Sequence, residues 1–282
     1  MTTEYVRHFG LTETPFARNH NPRWLYLSTQ HKEAVVKARW TMEEYGGLAL
    51  IRGDVGMGKS FLVEFLLSTW VHQFGWRCAK LQNTGTIASP RALLAEVLQA
   101  FGLEPSANVR DMVGRLETWL LAQAFEEGRN VVLFIDEAQS LASRALPVVK
   151  DLVNLETRDR ILMQVILAGQ PNIDRKLNHY PALQSRIASV STLEPLSAEE
   201  TDAMLLYRLR RAGCVDPLRL CPAATTEAIY RTTGGVPRDV IVVAEATMKE
   251  AFLRDSDRLL PEHVARAIAD MPGRRPRLAL AA

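Results

Sequence analysis

The chain has 282 residues, 47% of them hydrophobic and 23% charged, with a formal net charge of +2. That length and apolar content bury a large core, in one large domain or two modest ones, and exclude a fibrous or wholly disordered chain. The near balance of charge neither requires a nucleic-acid partner nor excludes one, because a balanced total can hide a local basic surface.

Residues 1–30 are rich in Pro, Asn and aromatics and read as an ordered arm lying over the next domain, with Phe9, Phe16, Trp24 and Tyr26 as anchors. From His31 to Glu44 the spacing of Ala34, Val35, Ala38, Trp40 and Met42 predicts a helix. A turn at Gly46-Gly47 leads into Leu48–Ile51, an apolar run suited to a buried strand. Gly53-Asp54-Val55-Gly56-Met57-Gly58-Lys59-Ser60 follows, a complete G-x-x-x-x-G-K-S sequence. Its glycines let the backbone wrap a phosphate so that successive N–H groups point inward. Lys59 has the length to reach β and γ phosphates, and Ser60 offers a hydroxyl to Mg²⁺. The helix opening at Phe61 sets its positive dipole end beneath the anion.

After a helix over 60–73, Arg77–Leu81 reads as a strand and Asn83–Ser89 as a loop. Pro90 opens a helix capped by Ser89, and Val109–Glu126 carries Met112, Val113, Leu116, Trp119 and Leu120 at helical intervals. The run Val131–Glu137 places Asp136 and Glu137 behind five apolar residues that fit a buried parallel strand. We assign Asp136 to Mg²⁺ and Glu137 to activation of the attacking water. A helix over Leu146–Leu155 and a strand over Ile161–Ala168 continue an alternation that predicts an α/β fold, a parallel sheet covered on both faces.

From Ser197 the pattern is helical only. Ser197-Ala-Glu-Glu200 reads as a capping box, and Pro222, Val236-Pro237-Arg238 and Pro261-Glu262 open three further helices of a small lid. The organisation expected is an arm over 1–30, a nucleotide-binding core over 31–196, a lid over 197–271 and a disordered tail over 272–282 containing Arg274, Arg275 and Arg277. Cys78, Cys214 and Cys221 form no C-x-x-C pair and read as reduced thiols. Neither a signal sequence nor a membrane-length apolar run is present, so the expectation is a cytoplasmic protein without membrane insertion.

Six segments in order resemble the AAA+ ATPases of the ExeA type: Phe9-Gly-Leu11 with Pro15-Phe16, Gly53–Ser60, Phe134–Gln139, Leu167–Pro171, Leu183–Ile187 and Gly234–Arg238. The resemblance implies a P-loop NTPase with ATP and Mg²⁺ as cofactors and a homo-oligomeric ring or filament with nucleotide between subunits. It implies that Gln170 is the sensor that orients water, Arg186 the arginine finger with Arg175 as competitor, and Arg238 the sensor arginine of the lid. Tyr26, Leu27 and His31, just before the core, are candidates to contact adenine.

Secretion-type members generally continue into a membrane span and a peptidoglycan-binding region, and this chain reads as the motor alone. It also resembles the TniB, TnsC and IstB regulators of DNA transposition, which assemble on DNA and recruit or activate a transposase. The expected partners are therefore double-stranded DNA and a transposase or target-selection protein, with an accessory role in type II secretion or pilus assembly as the alternative. Lys80, Thr84, Thr86 and Arg91 are the candidates for the DNA backbone, with Arg208, Arg210, Arg211 and Arg219 of the lid as a second group. A scaffold that binds nucleotide without hydrolysing it is the third reading, and Glu137 argues against it.

Overall fold

The computed structural model describes residues 4–19, 21–44 and 46–271; the predicted tail, with Arg274, Arg275 and Arg277, lies outside them. In chain order the helices and strands are α1 (Glu4–His8), α2 (Thr29–Glu43), β1 (Leu48–Gly53), α3 (Lys59–Phe74), β2 (Arg77–Leu81), α4 (Pro90–Ala100), α5 (Val109–Phe125), β3 (Val131–Ile135), α6 (Leu146–Val153), β4 (Met163–Gly169), α7 (Ile173–Leu177), α8 (Pro181–Gln184), β5 (Ile187–Leu193), α9 (Ala198–Arg211), α10 (Pro217–Leu220), α11 (Ala223–Thr233), α12 (Pro237–Leu253) and α13 (Pro261–Ala269). They divide into two units, an α/β unit of residues 29–55 and 59–193 and a helical unit of the described residues among 1–28, 56–58 and 194–282.

In the α/β unit five parallel strands lie in the order β2-β3-β4-β1-β5. Every residue of β3 is buried. Leu133 and Ile135 join Leu98, Leu116 and Leu152 of α4, α5 and α6 in one apolar cluster. Phe134, one residue out of phase, faces the other side, its ring centroid 5.6 Å from that of Trp70 on α3. Burial of both faces is why this strand reads as a continuous apolar run rather than an alternating one. The cap expected before α4 forms: Ser89 Oγ accepts from the Ala92 N–H at 3.1 Å. On α5, Met112, Leu116 and Leu120 are fully buried, whereas Val113 is 37% exposed. Val113 lies about 100° around the helix from Met112, outside the buried stripe.

Strand β5 is not marked by the hydrophobic pattern. Its inward positions include Ser189 and Ser191, while Ala188, Val190 and Thr192 face out. Ser189 Oγ lies 2.7 Å from Thr41 Oγ1 of α2, so a hydroxyl pair holds a position that apolar contact usually fills. Over residues 188–191 the polarity therefore alternates in the reverse sense to that of an ordinary half-buried strand, while Ile187 and Leu193 at its ends turn apolar side chains inward.

In the helical unit, Leu205, Leu209, Ile229, Val240, Met248 and Val264 share a cluster with Tyr5, Val6, Leu11 and Phe16. The amino-terminal segment, expected over the domain that follows it, thus gives its apolar residues to the core of this unit. Phe16 and Trp24 are buried, and Phe9 and Tyr26 half-buried. Arg208 corrects an expectation: only 1% exposed, it lies inside, not on a DNA-facing surface. Its Nη1 donates to Pro15 O at 3.1 Å and Ala17 O at 3.4 Å. Burial lowers its pKa to about 10, which leaves it charged at neutral pH.

The three cysteines are free. Burial pushes the Cys78 and Cys221 thiols up to about 12, so both stay protonated at neutral pH. Among the described residues no helix is long and apolar enough to cross a membrane.

Candidate nucleotide site

The strand register carries the predicted residues to one edge of the sheet. Leu81, Ile135, Leu167, Leu50 and Val190 form a row across all five strands. Because the strands run parallel, the segments that follow them emerge together: Thr84 after β2, Asp136 and Glu137 after β3, Gln170 after β4, and Gly53 to Val55 at the end of β1. This carboxyl-terminal edge is where open α/β sheets bind ligands.

The phosphate loop has the backbone its glycines predict, with φ of +91° at Gly56 and +87° at Gly58, values that side-chain-bearing residues rarely adopt. Lys59 opens α3 and is buried, its Nζ donating to Gly53 O at 2.8 Å and Asp54 O at 2.9 Å. Those carbonyls hold the ammonium at the base of the loop. Asp54 and Val55 are exposed, Met57 is buried, and Ser60 and Phe61 are half-buried in the first turn of α3. Within the helical unit, the Arg238 N–H donates to Gly56 O at 3.1 Å, and the Arg238 side chain is exposed.

The acidic turn is held from several sides. Asp136 Oδ1 accepts from the Glu137 N–H at 2.9 Å, and its Oδ2 lies 3.7 Å from Lys80 Nζ. Lys80 also donates to Glu64 Oε1 at 2.5 Å, and Glu64 stands one helical turn beyond Ser60 on α3. Glu137 adopts left-handed backbone geometry, φ +50° and ψ +39°, rare for a residue with a side chain. Its carbonyl accepts from the Ser140 N–H at 2.8 Å and lies 2.9 Å from the Thr84 hydroxyl, which also lies 3.2 Å from Asp136 O. The Glu137 carboxylate accepts from Gln139 Nε2 at 2.5 Å.

Two of the four core residues offered to DNA are corrected by this geometry. Lys80 and Thr84 turn into the acidic edge, because β2 runs beside β3 and ends next to Asp136. Thr86 and Arg91 are exposed. Sequence reading missed Glu64 and Gln139; Gln139 carried a signal, since it stands two residues after Glu137.

Arg186 lies at the other end of the sheet. Leu48 pairs with Ile187 and Gly53 with Leu193, so Arg186 precedes the amino-terminal end of β5, about 20 Å along the strand from the phosphate loop. No arginine side chain spans that distance. Arg175 is exposed on α7. Of the adenine candidates, His31 is buried on α2 in the α/β unit, whereas Tyr26 belongs to the helical unit, its ring centroid 6.0 Å from that of Tyr207.

The donor set fits a magnesium nucleotide. A hydroxyl at Ser60 and a carboxylate at Asp136 are hard oxygen ligands of the kind that share Mg²⁺ with phosphate oxygens and water. Such a site needs no cage of three acidic or imidazole side chains, and none gathers among the described residues.

Residues 42–177 match the family described as AAA domain. The chain is 33% identical over 275 residues to General secretion pathway protein A of Aeromonas hydrophila, a match covering 96% of this chain and 49% of that protein. The chain thus spans about half the length of that relative. Among solved structures it resembles the Aeropyrum pernix ORC2 protein, with TM-score 0.65 and 18% identity over 92% of this chain and 71% of that one. It also resembles Drosophila ORC bound to DNA, with TM-score 0.70 and 15% identity over 96% and 66% of the two chains. The Thermotoga maritima RuvB Holliday junction branch migration motor gives a TM-score of 0.58 at 17% identity over 88% and 72%. At these identities the structural likeness establishes the fold, that of P-loop AAA+ ATPases, and the sequence matches support an ExeA-type AAA+ protein.

Proposed function

With an AAA domain over residues 42–177 as the premise, we propose that the chain binds ATP with Mg²⁺ and hydrolyses the γ-phosphate, as a homo-oligomeric ring or filament acting in the cytoplasm. The observation that carries this reading is the convergence of Lys59, Asp136, Glu137 and Gln170 at one edge of a parallel sheet, beside a glycine-rich loop. The loop N–H groups and Lys59 bind phosphate oxygens. Ser60 and Asp136 would hold Mg²⁺, which when bound neutralises charge between the β and γ phosphates. Glu137 takes the proton of the attacking water, and Gln170 orients that water. Arg186 serves the phosphate of a second copy, and Arg238 is the arginine of the lid.

For the pathway, the similarity to General secretion pathway protein A favours an accessory ATPase of secretion or pilus assembly. Regulation of a transposase on double-stranded DNA is the second reading, and the exposed Thr86, Arg91, Arg210, Arg211 and Arg219 remain its candidate contacts. The deciding measurement of hydrolysis compares wild type with Glu137→Gln: the variant binds ATP and loses turnover by about 100-fold or more. Equal rates remove Glu137 from its role. Sedimentation with ATP separates the pathways, since assembly unaffected by duplex DNA at low salt favours secretion and DNA-dependent assembly favours transposition.

A further inference from the structure

We propose that Gln139 is a positioning residue that aims the Glu137 carboxylate and ties it to the end of β4; this deepens, and rests on, the reading of Glu137 as the group that activates water. Gln139 is 8% exposed, and its amide is bonded at both ends. Nε2 donates to Glu137 Oε2 at 2.5 Å, and Oε1 accepts from the Gln170 N–H at 3.0 Å. The partners fix which way the amide faces, since a backbone N–H can meet only its oxygen and a carboxylate only its NH₂ group.

Two further features hold this residue in place. Lys176 Nζ donates to Gln139 O at 2.5 Å and to Leu141 O at 2.6 Å, which pins the backbone of the turn. Gly169 leaves room for the amide: a Cβ there would stand 3.0 Å from Gln139 Oε1 and 3.4 Å from its backbone N. The backbone of Gly169 is not left-handed, so the close approach of Gln139 accounts for a glycine at that position.

The consequence falls on Glu137. The left-handed turn fixes its Cα, but its side-chain torsions are free to rotate, and among the described residues the hydrogen-bond partner of its carboxylate is Gln139. A charge-assisted bond of this kind selects one orientation. Because the same planar amide holds the Gln170 N–H, a shift of the β4 end moves the carboxylate with it. The sensor position and the water-activating carboxylate are thus linked through a single side chain.

The test uses Gln139→Met, which keeps the unbranched length and loses both hydrogen bonds. The expected result is a fall in kcat of about 10- to 100-fold, with KM and the affinity for a non-hydrolysable ATP analogue within about twofold of wild type. In a Glu137→Gln background the same change produces no further loss, because its effect passes through Glu137. Gly169→Ala, which crowds the amide while leaving Gln139 intact, gives the same defect confined to kcat and serves if Gln139→Met does not fold. Wild-type kcat in whichever variant folds, or affinity and kcat falling together, overturns the proposal. If Glu137→Gln itself turns over at the wild-type rate, the reading beneath the proposal fails instead, and the two failures are distinguishable.

Discussion

Lys80→Met exposes how the acidic edge is balanced. Lys80 Nζ stands 2.5 Å from Glu64 Oε1 and 3.7 Å from Asp136 Oδ2, on a side chain only 12% exposed. At an effective dielectric near 20, a pair at that longer distance has a gross attraction of about 4 kcal/mol. Glu64 is 31% exposed, so water screens part of it. Removing the cation should cost about 2 kcal/mol, below the ~3–5 kcal/mol of a fully buried pair broken on one side. For a unit of this size the melting temperature then falls by about 4–8 °C.

The variant also leaves two carboxylates facing each other without a cation, which is the arrangement a divalent ion relieves. Mg²⁺ at about ten times its Kd returns roughly 1.4 kcal/mol. The assay is thermal unfolding of wild type and variant without nucleotide, in chelator and in excess MgCl₂. With Lys80 in place wild type gains little from the ion, so we expect the deficit of the variant to shrink by about two-thirds in Mg²⁺. A deficit of the same size in both solutions, or none in chelator, refutes the idea that Lys80 balances Asp136.

Arg208→Met should remove the donor shared by Pro15 O and Ala17 O and loosen the amino-terminal segment, costing about 2 kcal/mol by urea unfolding and opening residues 12–19 to protease; unchanged cleavage and midpoint would count against that clamp. His263 supplies a pH dependence. Its Nδ1 accepts from the Leu260 N–H at 3.1 Å at the start of α13, a role open only to the neutral ring, and burial lowers its pKa below the ordinary 6.5. A depressed histidine pKa makes the unfolded chain bind more protons, so this stability is complete above about pH 6.5 and lost as pH falls from there through the folded pKa. Wild type should therefore lose more stability than His263→Asn between about pH 7.5 and 5.5, measured by denaturant unfolding at each pH; parallel losses would contradict the assignment.

The phosphate loop, the Asp136–Glu137 strand and the cap at Ser89 were legible because each depends on residue identity at fixed spacing. What a side chain faces was less legible. Lys80 and Thr84 are polar residues in and after a strand, and sequence alone does not say whether they meet solvent or the carboxylates of the next strand; the order of β2 beside β3 decides it. Arg208 reads as one of several arginines on a charged helix, and only the fold brings the carbonyls of residues 15 and 17 to it. Strand β5 escaped because two of its inward positions are serines, Ser189 and Ser191, and Ser189 bonds to Thr41 of α2 rather than packing as an apolar side chain. Gln139 was visible as a residue but not as a link, since its second partner, Gln170, lies 31 positions away.

Strand β5 also bears on the proposed link between hydrolysis and assembly. Its carboxyl-terminal residue Leu193 pairs with Gly53 at the phosphate loop, while Arg186 adjoins its amino-terminal end. The strand thus holds the arginine and the loop of one chain about 20 Å apart along its axis. Flexing the Arg186 side chain does not remove that separation, because β5 is hydrogen-bonded along β1 from Leu48 to Gly53. On the proposed reading, an arginine that acts on phosphate from this position must act on another subunit's. If Arg186 has the proposed role, the strand leaves the site incomplete within one chain and makes turnover depend on a neighbour.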